Sequence, residues 1–227
     1  PLVKNRHSSK LTHEGRDFTF YEAEYAVVVC GGIGAESARR AAEAVIANYS
    51  PQSVISAGVA GALVSDLHVG DTIFPVVVID TQDGSRHESG IHSAPLGQSS
   101  LGRTILATYP EIASVAQKQQ LAKSYGAHAV DMEAAAVARA AEKHGLPFIA
   151  VKAISDDLSF ELPEMNRFIR NGRFLTRNFV FHVAVRPWLW LRVLRLARNT
   201  RLASENLCAW LRESVLTNTI VPGARLE

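Results

Sequence analysis

The sequence predicts an α/β fold in which helices cover the faces of a central sheet. Three observations carry that reading. Apolar, β-branched runs alternate with helical patterns for most of the length. The run Phe148 to Ile154 is almost wholly apolar, as a strand is when both its faces are covered. And 227 residues, 47% of them hydrophobic and 20% charged, are enough to bury one full core.

Taken in order, Tyr25 to Cys30 reads as a strand that Gly31-Gly32-Ile33-Gly34 breaks. Ala35 to Asn48 has the Ala, Glu and Arg content of a helix and ends near Pro51. Ser53 to Ala57 is a short strand, and Gly58-Val59-Ala60-Gly61-Ala62 is a small-residue turn that lets backbone approach a ligand closely. Asp71 leads into the apolar run Thr72 to Ile79. Thr81 to Gly102, rich in Ser, Gly and His, lacks periodicity and reads as a loop at the mouth of a site, its histidines solvated. A short apolar piece, Thr104 to Ala107, precedes a helix around Ile112 to Ser124 and a strand at Ala127 to Val130. Met132 to His144 is a helix stopped by Gly145 and Pro147, and the strand Phe148 to Ile154 then ends at Ser155-Asp156-Asp157. No internal repeat or low-complexity linker interrupts this order.

Charge and cysteine content narrow the partners. A formal net charge of +2, with no basic motif interleaved with aromatics ahead of Arg167, argues against nucleic acid. Cys30 and Cys208 have no metal-ligand or redox spacing, as expected of a reduced cytoplasmic protein. Pro1 to Gly15 is polar and lacks the apolar stretch of a secretory signal. The chain begins with Pro rather than Met, which fits a processed or truncated start.

Two acidic sites stand out. Val130-Asp131-Met132-Glu133 opens an alanine-rich helix, and the next strand stops on Ser155-Asp156-Asp157. Buried acids cost several kcal/mol unless a charge, a hydrogen bond or a proton compensates them. In open α/β sheets ligands bind beyond the carboxyl ends of the strands, so Gly58–Ala62, Asp131–Glu133 and Ser155–Asp157 are expected to line one cleft. On residue type alone, Glu133 and Asp156 fit helix capping equally well.

The order and spacing of the segments add a resemblance. Gly32-Ile33-Gly34 ahead of a helix, Ser56 to Leu63 followed by Val69-Gly70-Asp71, then Val130 to Ala134, then Ala153-Ile154-Ser155-Asp156 together resemble the nucleoside phosphorylase and nucleosidase superfamily. Among its branches the chain looks nearest to the methylthioadenosine/adenosylhomocysteine nucleosidases, over Glu22 to Phe168. The resemblance implies a single-domain three-layer α/β sandwich with a central mixed sheet for residues 1–185, followed by an extension over 186–227. It also implies a catalytic Glu133 that binds the ribose hydroxyls, with Met132 packed against the sugar. A carboxylate accepting two hydroxyl hydrogen bonds orients the ring and stabilises positive charge on an oxocarbenium-like centre. Asp156, supported by Ser155, is the catalytic acid at N7 of the purine, worth roughly 10²- to 10⁴-fold in rate, and must hold a proton while ligand is bound. Ile33 matches a contact to the 5' side of the ribose, Ala60 and Gly61 the backbone near the base, and Asp131 the start of the substrate-binding Asp-Met-Glu segment. Tyr109 and Pro110 match the purine wall, although Ala107-Thr108 replaces the usual Ser-Gly-Asp before it.

Two departures shape the expected reaction. Val59 stands where phosphorylases place a serine hydroxyl, and no early glycine and arginine segment of the phosphate-binding kind is present, so water is the expected nucleophile. Phosphorolysis, or nucleoside binding without catalysis, are the alternatives. The resemblance also implies a first strand with a water-orienting glutamate. Pro1-Leu2-Val3 resembles the helix just after that strand, so strand and acid are expected to be missing from these residues. Glu14, Glu22 and Glu24 do not match that acid and are expected to be solvated. No metal or organic cofactor is implied, and the expected assembly is a homodimer.

Arg167 to Arg201 carries nine arginines and no acid, interleaved with Phe179, Phe181, Trp188, Trp190, Leu191, Leu194 and Leu196. Arg192, Arg195 and Arg198 fall on one side of a helix, opposite Trp190, Val193 and Ala197. Such a segment cannot span a bilayer. It is expected to lie on an anionic membrane surface through 186–201, or to pack on its own core or a dimer partner. Ile112-Ala113-Ser114 with Lys118, Gly126-Ala127, and Arg186-Pro187 followed by Leu194-Arg195-Leu196-Ala197-Arg198 are similar to the hopanoid-associated branch, which implies adenosylhopane, a lipid-linked adenine nucleoside, as substrate.

Overall fold

A computed structural model of the protein describes residues 7–90 and 103–214. The expectations on Pro1-Leu2-Val3, on the loop beyond Gly90 and on the last residues of the C-terminal extension lie outside the described residues.

The chain opens with a hairpin that composition did not reveal. Strands β1 (His7–His13) and β2 (Arg16–Glu22) pair antiparallel through Glu14-Gly15. Both turn residues have positive φ, 47° and 71°, the geometry that a two-residue hairpin turn of matching twist requires. Strand β3 (Val27–Val29) completes this small sheet, and Phe18 and Phe20 pack beneath it against Ala41 and Ala44 of helix α1 (Ala35–Tyr49). Glu14 and Glu22, expected to be solvated, are both engaged. Glu14 accepts from Arg39 at 3.0 Å, and Glu22 accepts from Ser9 and from Tyr49, at 2.8 and 2.6 Å.

The central sheet has seven strands: β4 (Val54–Ala62), β5 (Thr72–Ile73), β6 (Pro75–Asp80), β7 (Arg86–Glu88), β8 (Thr104–Thr108), β9 (Ala129–Asp131) and β10 (Phe148–Asp156), in the order β5-β10-β4-β9-β8-β6-β7. It is mixed. β10 with β4, β6 with β8, and β8 with β9 run parallel, whereas β5, β7 and the β4–β9 junction are antiparallel. Helices α2 (Val115–Tyr125) and α3 (Ala134–Lys143) connect its strands. Alanines 134, 135, 138, 140 and 141 of α3 are all buried, and their small side chains let that helix sit close against the sheet and α1. Past two short strands, β11 (Ile169–Arg170) and β12 (Arg173–Phe174), come helices α4 (Thr176–Ala184) and α5 (Pro187–Ser214). From α5, Ala203, Leu207 and Trp210 cover Phe74, Ile149, Val151 and Ala153 of the sheet. The predicted α/β sandwich with a mixed central sheet is therefore present.

Three local expectations are corrected. Gly58–Ala62 is not a turn but the second half of β4, because pairing with β10 on one side and β9 on the other satisfies its backbone. The segment after Thr81 contains β7, whose His87 is buried and lies 2.9 Å from a Glu142 oxygen and 3.1 Å from the Ser85 hydroxyl rather than in solvent. On α5, the arginines do share a side, but the apolar residues do not all oppose them. Leu189, Val193 and Leu196 are half-buried, whereas Trp188, Leu191 and Leu194 are exposed beside Arg192, Arg195 and Arg198. No helix among the described residues is long and apolar enough to cross a membrane.

Candidate active site

The end of β4 organises the site. Gly61 pairs with Asp156 of β10 on one side and with Val130 of β9 on the other. With neighbouring strands about 4.8 Å apart, the Asp156 and Val130 backbones lie about 10 Å apart on either side of β4.

Asp156 reaches its position through a bulge. Ile154 pairs with Ala60 and Asp156 with Gly61, so Ser155 is an extra residue in β10 that re-aims the acid. The Ser155 hydroxyl donates to Asp156 Oδ1 at 2.7 Å, with the Ala60 carbonyl 3.3 Å away. Asp156 Oδ2 accepts an ion-paired hydrogen bond from Lys118 Nζ, and Lys118 also donates to the Asp157 carbonyl at 2.7 Å. Both charged side chains are buried, at 1% and 6% exposure. The space beside them is tight. A Cβ on Gly61 would lie 2.8 Å from Asp156 Oδ2 and 3.3 Å from Lys118 Cε.

Glu133 sits just ahead of α3 and is held by backbone. Its Oε1 accepts from the Gly34 N–H at 2.8 Å and its Oε2 from the Met132 N–H at 3.2 Å. Gly34 caps α1 with φ 88°, a conformation glycine adopts without the steric cost that a Cβ carries. The Ile33 N–H donates to the Gly172 carbonyl at 2.9 Å and ties this loop to the turn between β11 and β12. Burial and the nearby negative charge of Asp131 push the Glu133 carboxyl above the usual carboxylate range, against the opposing pull of Lys152 and the two backbone N–H groups.

Asp131 has its carboxylate filled by protein. It accepts from the Thr108 hydroxyl at 2.7 Å and the Ala134 N–H at 2.9 Å, and pairs with Lys152 Nζ at 2.9 Å, which in turn donates to the Ser56 hydroxyl at 3.0 Å. Its carbonyl accepts from the Tyr109 N–H at 2.8 Å, while the Tyr109 hydroxyl accepts from Gln117 at 3.0 Å. Ile33, Met132 and Tyr109 are half-buried, Ala60 and Ser155 are buried, and Pro110 is exposed. The structure thus gathers Ile33, Asp131, Met132 and Glu133 in one cluster and Ala60, Gly61, Ser155 and Asp156 in a second, joined through Gly61. Outside the cleft, His13, Glu14 and Glu43 present possible metal-donor atoms within 4.8 Å of one another, but both acids already bind the Arg39 guanidinium.

Sequence reading did not pair Lys118 with Asp156 or Lys152 with Asp131. Each left a signal. Lys118 lies on the stripe Val115, Leu121, Ala122 and Tyr125 of α2, and Lys152 interrupts an apolar strand. A lysine on a buried face needs a partner.

The sequence matches the phosphorylase superfamily over residues 2–114 and 102–178. It is 26% identical over 220 residues to the 5'-methylthioadenosine/S-adenosylhomocysteine nucleosidase of Treponema pallidum, covering 72% of this chain and 82% of that protein. Against the enzyme of the same name from Staphylococcus aureus it is 27% identical over 165 residues, 60% of this chain and 72% of that one. Among solved structures, the Neisseria meningitidis nucleosidase in complex with methylthio-immucillin-A superposes with a TM-score of 0.68 at 20% identity, covering 95% of this chain and 91% of that one. Futalosine hydrolase of Helicobacter pylori gives 0.57 at 22%, covering 66% and 78%. These two likenesses share the fold. With the family match spanning most of its length, the chain belongs to the phosphorylase superfamily, and its relatives there include the methylthioadenosine/adenosylhomocysteine nucleosidases.

Proposed function

We propose that the protein is an N-glycosyl hydrolase that cleaves a purine nucleoside, most specifically an adenine nucleoside, to free base and sugar. The observation that carries this reading is a pair of carboxylates at strand ends: Asp156, buried on β10 beside Gly61, and the half-buried Glu133 just past β9, the strand on the other side of Gly61. Glu133 is positioned to accept the ribose hydroxyls and to stabilise positive charge as the C–N bond opens. Asp156 is positioned for the base, where negative charge develops. Water adds to the anomeric carbon. The relatives named for methylthioadenosine and adenosylhomocysteine support adenine as the base.

The test is release of adenine from adenosine and methylthioadenosine, followed by chromatography in phosphate-free buffer and again with phosphate. Adenine with free ribose or methylthioribose in both buffers supports hydrolysis. Release only with phosphate makes the enzyme phosphorolytic, and binding by calorimetry without release makes the cleft a nucleoside-binding site.

A second reading concerns the substrate's 5' side and its location. Trp188, Leu191 and Leu194 are 71%, 81% and 66% exposed among the arginines of α5. This mixed face supports a cytoplasmic, membrane-peripheral enzyme whose substrate is adenosylhopane, with the arginines on anionic headgroups. Flotation with phosphatidylglycerol vesicles, but not with phosphatidylcholine alone, is expected, and Trp188→Ser with Leu191→Ser should abolish it. If the same face instead joins two copies as a homodimer, those substitutions dissociate it in sedimentation and leave flotation unaffected.

A further inference from the structure

We propose that Lys118 is the proton source of this site and passes its proton through Asp156 to the departing base. The inference rests on the nucleosidase reading and goes beyond it, because it reassigns where the catalytic proton is stored. In the resting structure both Asp156 oxygens accept hydrogen bonds, Oδ1 from Ser155 and Oδ2 from Lys118. The ammonium against Oδ2 favours a carboxylate, which has no O–H of its own to give. The adjacent ammonium carries three protons. It is buried, aimed at the same oxygen that adjoins Gly61, and anchored by the Asp157 carbonyl.

The proton balance follows from that geometry. The pair is already withdrawn from water, where the ion pair has little solvation advantage over a neutral lysine beside a neutral aspartic acid, and a purine nitrogen accepting from Asp156 draws the proton across. The Lys118 proton moves to Asp156 Oδ2, and Asp156 donates it to the purine as the C–N bond breaks and its electron pair leaves with the base. Water oxygen bonds to the anomeric carbon and releases its proton to solvent, and solvent reprotonates the Lys118 amine. Lys118 acts through Asp156, so it is a positioning and proton-supplying residue. The competing role is a mere tie between α2 and β10.

The two roles separate by leaving group. Adenosine needs a proton on its base, whereas 4-nitrophenyl riboside expels a stable phenolate without one. Lys118→Met is expected to lower adenosine turnover by about 100-fold or more while changing 4-nitrophenyl riboside turnover by about threefold at most. Lys118→Arg keeps the charge and the pair but holds its protons, so it should not restore adenosine turnover. If Lys118→Met does not fold, Lys118→Arg carries the same two-substrate comparison. Equal losses on both substrates, or rescue by arginine, would overturn the proposal while leaving the hydrolase intact. A wild-type protein that cleaves neither substrate would sink the hydrolase reading, and this proposal with it.

Discussion

Gly61→Ala isolates the packing on which the site depends. Gly61 is absent from the positive-φ glycines of the described residues, so its backbone admits alanine and the effect is steric. The new methyl would stand 2.8 Å from Asp156 Oδ2, and ordinary contact begins at 3.4 Å, so the carboxylate must retreat by about 0.6 Å or the strands must part. Overpacking of this kind costs about 1–3 kcal/mol, and the reduced freedom of the unfolded chain returns about 0.4–1 kcal/mol. The net loss is therefore about 1 kcal/mol, a fall in Tm of roughly 2–4 °C. Catalysis should suffer more, because misplacing a reacting group by about 1 Å costs on the order of 100-fold. A tenfold or greater loss of kcat for adenine release, with urea unfolding shifted only slightly, is the expected pattern. Gly58→Ala on the same strand is the stability control, since its Cβ would meet Lys152 Nζ at an ordinary 3.5 Å. Wild-type kcat in Gly61→Ala, or equal destabilisation by Gly58→Ala, would refute the steric argument.

Other perturbations probe the second cluster. Lys152→Met strands the buried Asp131 carboxylate and should cost about 3–5 kcal/mol in urea unfolding, with Asp131→Asn added in the same chain recovering much of it. A loss of less than about 1 kcal/mol would contradict the assigned pair. Gly34→Ala places a Cβ at φ 88° and disturbs the N–H that holds Glu133, so about 1–2 kcal/mol of stability and a raised KM are expected, and an unchanged KM counts against that contact. Glu133 gives opposite pH trends. Its folded carboxyl titrates above the ordinary range, so its stability contribution is present at low pH and is lost as pH rises through the folded value, while hydroxyl binding to the carboxylate strengthens over the same window. Urea unfolding at a series of pH values should lose this slope in Glu133→Gln, and a slope that persists there assigns the titration to another group.

Much of the fold was legible because burial leaves a period in the sequence. Phe148 to Ile154 announced a doubly covered strand, and Gly145 with Pro147 marked the end of α3. The failures have physical causes. Strand β1 is largely exposed, so His7 to His13 shows no apolar alternation, and the hairpin turn is Glu-Gly rather than the more familiar Asn-Gly. Gly58–Ala62 looked like a turn because small residues serve both turns and crowded strand crossings. Here they make room for side chains from β10 and α2. Asp156 and Glu133 could be named from their motifs, but motif residues carry no information on which cation lies against which acid. That depends on Lys118 of α2 reaching the end of β10, a long-range contact that local pattern cannot contain.

This difference bears directly on mechanism. The family resemblance implied a charged Glu133 and an Asp156 that holds a proton while ligand is bound. In the structure Asp156 accepts from a lysine and a serine, whereas Glu133 lies near another carboxylate, and burial pushes its proton affinity up. Two carboxyls in contrasting environments are the arrangement by which acid and base tasks are divided within one site. On the proposed reading a bound nucleoside changes both environments. Ribose hydroxyls donating to Glu133 would favour its charged form, while a purine nitrogen accepting from Asp156 would draw the Lys118 proton onto that carboxylate. On that reading the ligand itself brings about the protonation states that cleavage needs, the ribose acting on one carboxyl and the purine on the other.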